Sequence, residues 1–138
     1  MKKLLLLILC TTTLGLVSCK KETIVQETQN RTFIYTIRAN SWTLSTNGRT
    51  YSTILDIPEV DAITLDDEGV LVYITNPGEP GKQKQLPFVY DVDAYSYEIS
   101  NGQIRIDIES SDFQDRTPIK PATDITAKVI IIPSRYVQ

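Results

Sequence analysis

The sequence contains no histidine, and its two cysteines, Cys10 and Cys19, both lie close to the N-terminus. Without histidine, the commonest general base and the commonest metal ligand are missing. There is no G-x-S-x-G nucleophile elbow and no metal-ligand spacing, so catalysis is not expected and no cofactor is implied. No segment carries the period of an amphipathic helix. An excess of positive charge is also missing: 14 basic side chains stand against 17 acidic ones. Without Lys2 and Lys3 the balance becomes 12 against 17, a net of about −5. That acidity argues against nucleic-acid binding and against electrostatic docking on anionic lipid.

The first 18 residues have a layout of their own. Lys2 and Lys3 form a short basic stretch, Leu4 to Leu9 with Leu14 and Leu16 supply an apolar region, and Ser18 places a small residue before Cys19. This is the layout of an export signal, too short to span a bilayer. Leu16-Val17-Ser18-Cys19 resembles the bacterial lipobox, in which the cysteine thiol is lipidated and the signal is cut just before it. Cys10 fits less well, because Leu9 is too large for the cleavage site and only half of the apolar region would be used. On this reading the mature chain keeps no free thiol and forms no disulfide, so its stability must come from packing. An ordinary secreted chain would instead leave an odd thiol in an oxidising compartment.

Of 138 residues, 120 remain after position 18, enough for one domain and one core. Residues 20 to 30 are polar and without a sustained period, and are expected to form a tether reaching at most about 40 Å. From Arg31 onward the period is two, with β-branched and aromatic residues set between Gly, Pro, Asn and Asp. Phe33, Tyr35 and Ile37 alternate with Ile34, Thr36 and Arg38. Tyr51, Thr53, Leu55 and Ile57 form a second run. Val70, Val72 and Ile74 lie in a stretch apolar on both faces, as in a central strand. Leu86, Phe88, Tyr90 and Val92 form another run, and Ile125 to Ile132 closes the pattern.

Asn101-Gly102 marks a two-residue hairpin, expected as a type I′ turn. With Ser100 facing Gln103, Ile99 faces Ile104, Tyr97 faces Ile106 and Tyr95 faces Ile108 on one side. Glu98 then faces Arg105 and Ser96 faces Asp107 on the other. A slip of one residue would set apolar side chains against polar ones. The stretches 76–85 and 110–123 are loops by composition, the second long enough to be a crossover between sheets or a functional surface. Seven or eight strands over 31–138 point to an all-β antiparallel sandwich, immunoglobulin-like or jelly-roll-like, with a small barrel as the alternative.

Tyr35 to Trp42, Gly69 to Ile74, Leu86-Pro87-Phe88 and Asp124 to Pro133 together resemble the small β-domain of uncharacterised lipoproteins from Bacteroidota. The same stretches are similar to the C-terminal domain of some collagen-like proteins of that phylum, although no Gly-X-Y repeat is present here. The resemblance implies export and a β fold and brings no activity, ligand or catalytic residue. In that phylum, charged residues after the lipidated cysteine can direct surface display. Lys20-Lys21-Glu22 resembles such a signal loosely, which leaves an outer-membrane position facing the periplasm or the cell surface.

Three constellations carry possible chemistry. Asp66-Asp67-Glu68-Gly69 gathers oxygen ligands beside a glycine but lacks EF-hand spacing, and reads as a solvated turn into the Val70 strand. Asp91 and Asp93, two apart, read as a charge pair guarding an edge strand. Trp42, Tyr73 and Tyr90 are the candidate ligand-binding aromatics, weighed against core packing, which Trp42 in particular favours. The expected function is a lipid-anchored binding or structural module of the cell envelope, attached to the membrane through its lipid, with a glycan or a protein as partner. The alternatives are a carbohydrate-binding accessory protein using loops 76–85 and 110–123, or a subunit that pairs through an edge strand. Cys19→Ser is expected to abolish metabolic labelling with a palmitate analogue, read by in-gel fluorescence; labelling that persists refutes the lipidation site.

Overall fold

The computed structural model describes residues 28–112 and 115–134. The export signal, Cys19 and tether residues 20–27 lie outside the described residues. Tether residues 28–30 are exposed and carry no regular structure.

Among the described residues, nine strands and one short helix follow in order. The strands are β1 (Arg31–Ile37), β2 (Thr43–Leu44), β3 (Thr50–Asp56), β4 (Gly69–Thr75), β5 (Gln83–Gln85), β6 (Phe88–Tyr90), β7 (Asp93–Ser100), β8 (Gln103–Ser110) and β9 (Ile125–Ile132), and the helix α1 (Ala62–Asp67) lies between β3 and β4. They form two antiparallel sheets, ordered β1-β9-β4-β5 and β2-β3-β8-β7-β6. The fold is therefore an all-β sandwich of two separate sheets rather than a closed barrel. The count exceeds seven or eight because β2, β5 and β6 are only two or three residues long.

Period two decides which side chains meet. In β9, Ile125, Ala127, Val129 and Ile131 are buried, while Thr126, Lys128, Ile130 and Ile132 are half-buried on the other face. Ala127 lies between Tyr35 and Ile74 and Val129 between Phe33 and Val72, so small and large residues alternate across the row, as dense packing requires. Opposite them stand Leu55 and Ile104, then Thr53, Ile106 and Tyr97, then Tyr51, Ile108, Tyr95 and Phe88. The Tyr97 hydroxyl crosses the core and donates to the Val70 carbonyl oxygen at 2.7 Å, tying the two sheets together.

The β7–β8 hairpin has the register read from its sequence, from Ser100 opposite Gln103 to Tyr95 opposite Ile108. Glu98 and Arg105 pair at 2.8 Å on the outer face, and Arg105 also reaches Asp107 at 3.0 Å. The turn itself differs from expectation. Only Gly102 has a positive φ, 76°, which is the sign pattern of a type II turn rather than type I′. Positive φ at both central positions occurs instead at Asp91 (46°) and Val92 (61°), between β6 and β7.

Three other expectations are corrected. The acidic run is not a plain turn, since Asp66 and Asp67 end the helix α1. Asp61 caps that helix by accepting from the Thr64 amide at 3.0 Å, and this hydrogen bond lowers its pKa. Glu68 turns inward, accepting from Arg31 and from the Thr64 hydroxyl. A six-residue helix is too short to show a 3.6 period, and only the Asp61 cap announces it. The run from Leu86 to Val92 is divided: Leu86 is buried before a cis Leu86–Pro87 peptide, β6 is confined to Phe88–Tyr90, and Val92 lies in the turn. Asp91 and Asp93 do not form an edge pair, because Asp91 is in the same turn and Asp93 is only 3% exposed.

Ile106 and Ile99 share one hairpin face, yet Ile106 is fully buried and Ile99 is 37% exposed. Ile106→Ala is expected to cost about 2–5 kcal/mol and Ile99→Ala less than about 1 kcal/mol in urea unfolding; equal losses would contradict the packing described.

Candidate functional site

The three aromatic candidates occupy three different places. Trp42 is 5% exposed and belongs to the core, with its indole nitrogen buried and without a partner among the described residues. Tyr73 lies half-buried on the outer face of β4, with the Lys128 ammonium 4.4 Å from its ring centre. Tyr90 ends β6 and is 38% exposed. The structure does not bring the three together, and only Tyr90 borders a cleft formed by both irregular loops.

Tyr90 is positioned by the loop that follows β4. Asn76, buried at the strand end, organises that loop: its amide nitrogen donates to the Lys82 carbonyl at 2.8 Å, and its side chain meets Glu79 and the Gly78 amide. The Tyr90 ring lies so close to Gly78 that a Cβ there would stand 2.6 Å from the ring and from its hydroxyl. Glycine is needed at 78 for this approach, and any other side chain would displace the ring.

The second wall is the crossover from β8 to β9, which carries the chain from the five-stranded sheet to the four-stranded one. It is fastened at three points. Asp93, at the start of β7, accepts from the Arg116 guanidinium at 2.6 Å through one carboxylate oxygen and from the Ile119 amide at 2.8 Å through the other. Lys120 donates to the Ala39 carbonyl at 2.7 Å, and Asp124 accepts from the Ala39 amide at 2.9 Å. Its own Pro118 and Pro121 are buried.

The strained turn belongs to the same assembly. Val92 is β-branched and holds φ at 61°, a conformation such residues rarely adopt. Its carbonyl accepts from the Ser111 amide at 2.8 Å, the Ser111 hydroxyl at 2.8 Å and Arg116 at 3.1 Å. These contacts hold a conformation that costs about 1–3 kcal/mol.

Two clefts flank this clamp. One, about 390 Å³, is lined by Asn47, Arg49, Glu109, Asp115 and Arg116, and its charges neutralise one another: Arg49 pairs with Asp115 at 2.5 Å and Arg116 with Asp93. The other, about 210 Å³, is lined by Pro77, Tyr90, Tyr95, Ile119 and Pro121, with Asp91, Asp93 and Lys120 among its polar groups. Tyr95, buried at its base, stacks on Phe88 of the core with ring centres 5.0 Å apart. Burial, aided by the nearby Asp93 charge, pushes the Tyr95 hydroxyl up to about 12. Tyr95 is therefore a neutral donor at any physiological pH.

Among the described residues, no three acidic, His or Cys side chains are grouped to hold a metal ion, and no helix is long and apolar enough to cross a membrane. Comparison with family models, with curated proteins and with solved structures finds no match.

Sequence reasoning marked both irregular stretches and Tyr90, but residues 83–85 of the first are not loop and form β5; it took Asp93 for an edge-strand charge and gave Arg116 and Gly78 no role. Their contacts span 23 positions from Asp93 to Arg116 and join loops without a period. The local signal was limited to a proline-bearing crossover that holds the basic residues Arg116 and Lys120.

Val92→Asn is expected to stabilise the fold by about 0.5–1 kcal/mol, because asparagine tolerates positive φ. Asp93→Ala is expected to cost about 1–3 kcal/mol, since the Ile119 amide loses its acceptor. Denaturant midpoints check both signs, and a destabilised Val92→Asn would contradict the strained turn.

Proposed function

We propose that this chain is a lipid-anchored binding module of the bacterial cell envelope, without catalytic chemistry, and that its ligand docks in the Tyr90 cleft. The anchor reading rests on the basic and apolar signal and on Cys19. Several acyl chains at that cysteine make attachment stable, each buried methylene contributing about 0.8 kcal/mol. The location that follows is an outer-membrane lipoprotein facing the periplasm or the cell surface.

One observation carries the site: Tyr90 offers a partly exposed ring, backed by Gly78 and flanked by Pro77 and Ile119, where the two irregular loops converge. An aromatic face with apolar flanks and a polar rim suits the C–H face and hydroxyl edge of a sugar ring. A carbohydrate is therefore the ligand class favoured. At about 210 Å³ the cleft is smaller than the roughly 300–1,000 Å³ of drug-sized sites, which fits one ring of a longer glycan rather than an enclosed substrate.

The non-catalytic reading is supported by the lack of histidine and by the state of the buried acid. Asp93 has both carboxylate oxygens committed, one to Arg116 and one to the Ile119 amide, so they serve to fasten the crossover. The mildly acidic chain gives no reason to expect nucleic acid as a partner.

A glycan array probed with the full chain in detergent tests this reading. A specific glycan is expected to bind, with a loss of about tenfold or more for Tyr90→Ala and for Gly78→Ala, which moves the ring without removing it. Binding unchanged in both variants would refute the Tyr90 site, and a silent array would refute the carbohydrate reading.

A further inference from the structure

Sheet edges in this fold are unequal. β2, β5 and β6 offer two or three residues each, whereas β1 is a seven-residue edge paired only on one side, with β9. Among the described residues, no backbone hydrogen bond reaches its outer side. Unlike most edges that must stay solitary, the stretch from Thr32 to Ile37 carries no lysine, proline or bulge. At its centre Ile34 is 62% exposed.

The order of residues along this edge is nearly palindromic: Thr32-Phe33-Ile34-Tyr35-Thr36. We propose that β1 is a self-association edge, pairing antiparallel with β1 of a second copy about a two-fold axis at Ile34. The axis is perpendicular to the sheet, because only that operation keeps the inner face of both copies on the same side. Ile34 then faces Ile34 of the second copy, Phe33 faces its Tyr35, Thr32 its Thr36 and Arg31 its Ile37. Aromatic–aromatic and Thr–Thr pairs are among the favoured cross-strand pairs, and no like charges are opposed. Two four-stranded sheets become one of eight. Moving the axis to Phe33 or Tyr35 sets threonine against isoleucine on the outer face and breaks the match.

Thiol cross-linking of the full chain in detergent tests both association and register, with Cys10 and Cys19 replaced by serine so that an introduced thiol is the only one. Residues facing each other across an antiparallel pair have Cα atoms about 4.5–5.5 Å apart, within disulfide reach. Ile34→Cys is expected to form a covalent dimer on mild oxidation. Thr32→Cys and Thr36→Cys are each expected to remain monomeric alone, because the two copies of each position lie about 13 Å apart along the strands, but to cross-link when mixed. Ile34→Lys, at an exposed position that leaves the core intact, is expected to weaken dimerisation of the unmodified chain by about tenfold or more in light scattering. Failure of Ile34→Cys to cross-link, or equal cross-linking at all three positions, overturns the proposal.

Discussion

The Asp93 carboxylate is the point on which the loop end of this molecule depends. Buried to 3% exposure at the first residue of β7, it takes the Arg116 guanidinium on one oxygen and the Ile119 amide on the other. A buried carboxylate is costly unless its lone pairs are met by donors, so the chain between β8 and β9 is drawn back over the end of the sandwich to meet it. That chain could otherwise pass between the sheets in many ways. With Asp93 satisfied, Ile119 and Pro121 are held opposite Tyr90 and the cleft has its second wall. The Val92 conformation follows from the same arrangement, since its carbonyl receives Arg116 and Ser111 while its backbone holds positive φ.

Away from that end, the fold is governed by alternation alone. No disulfide joins the described residues, and the two sheets meet through rows in which β4, β8 and β9 supply fully buried isoleucines and valines. A polar tie across the core, from Tyr97 to the Val70 carbonyl, adds direction to the packing. Stability rests on the inner rows, while the proposed functions lie on elements the rows leave over: the loop end with Tyr90, and the free side of β1.

Legibility in the sequence follows the same division. Wherever one face is buried and the other solvated, period two showed the element: β1, β3, β4 and β9 were all readable, and the β7–β8 register was readable pair by pair because a slip would have mixed Ile106 with polar partners. The turn between them was misread because Asn-Gly serves more than one turn type, while Asp91-Val92, with a β-branched residue, carried no turn signature at all. Helix α1 was too short for periodicity. In the site, Tyr90 was visible as an aromatic beside a loop, but its support was not. Gly78 matters through an approach of 2.6 Å and Asp93 through partners far along the chain, and neither leaves a local pattern.

The most direct measurement on this account is the hydrogen-exchange rate of the Ile119 backbone amide, followed by NMR in the unmodified chain. Ile119 has an exposed side chain in a loop, so without the Asp93 hydrogen bond its amide would exchange at close to the rate of an unstructured peptide. Protection comparable to that of the β8 amides is expected. Exchange at the unprotected rate would contradict it, because the crossover would then not be fastened to the sandwich and the cleft beside Tyr90 would have no fixed second wall.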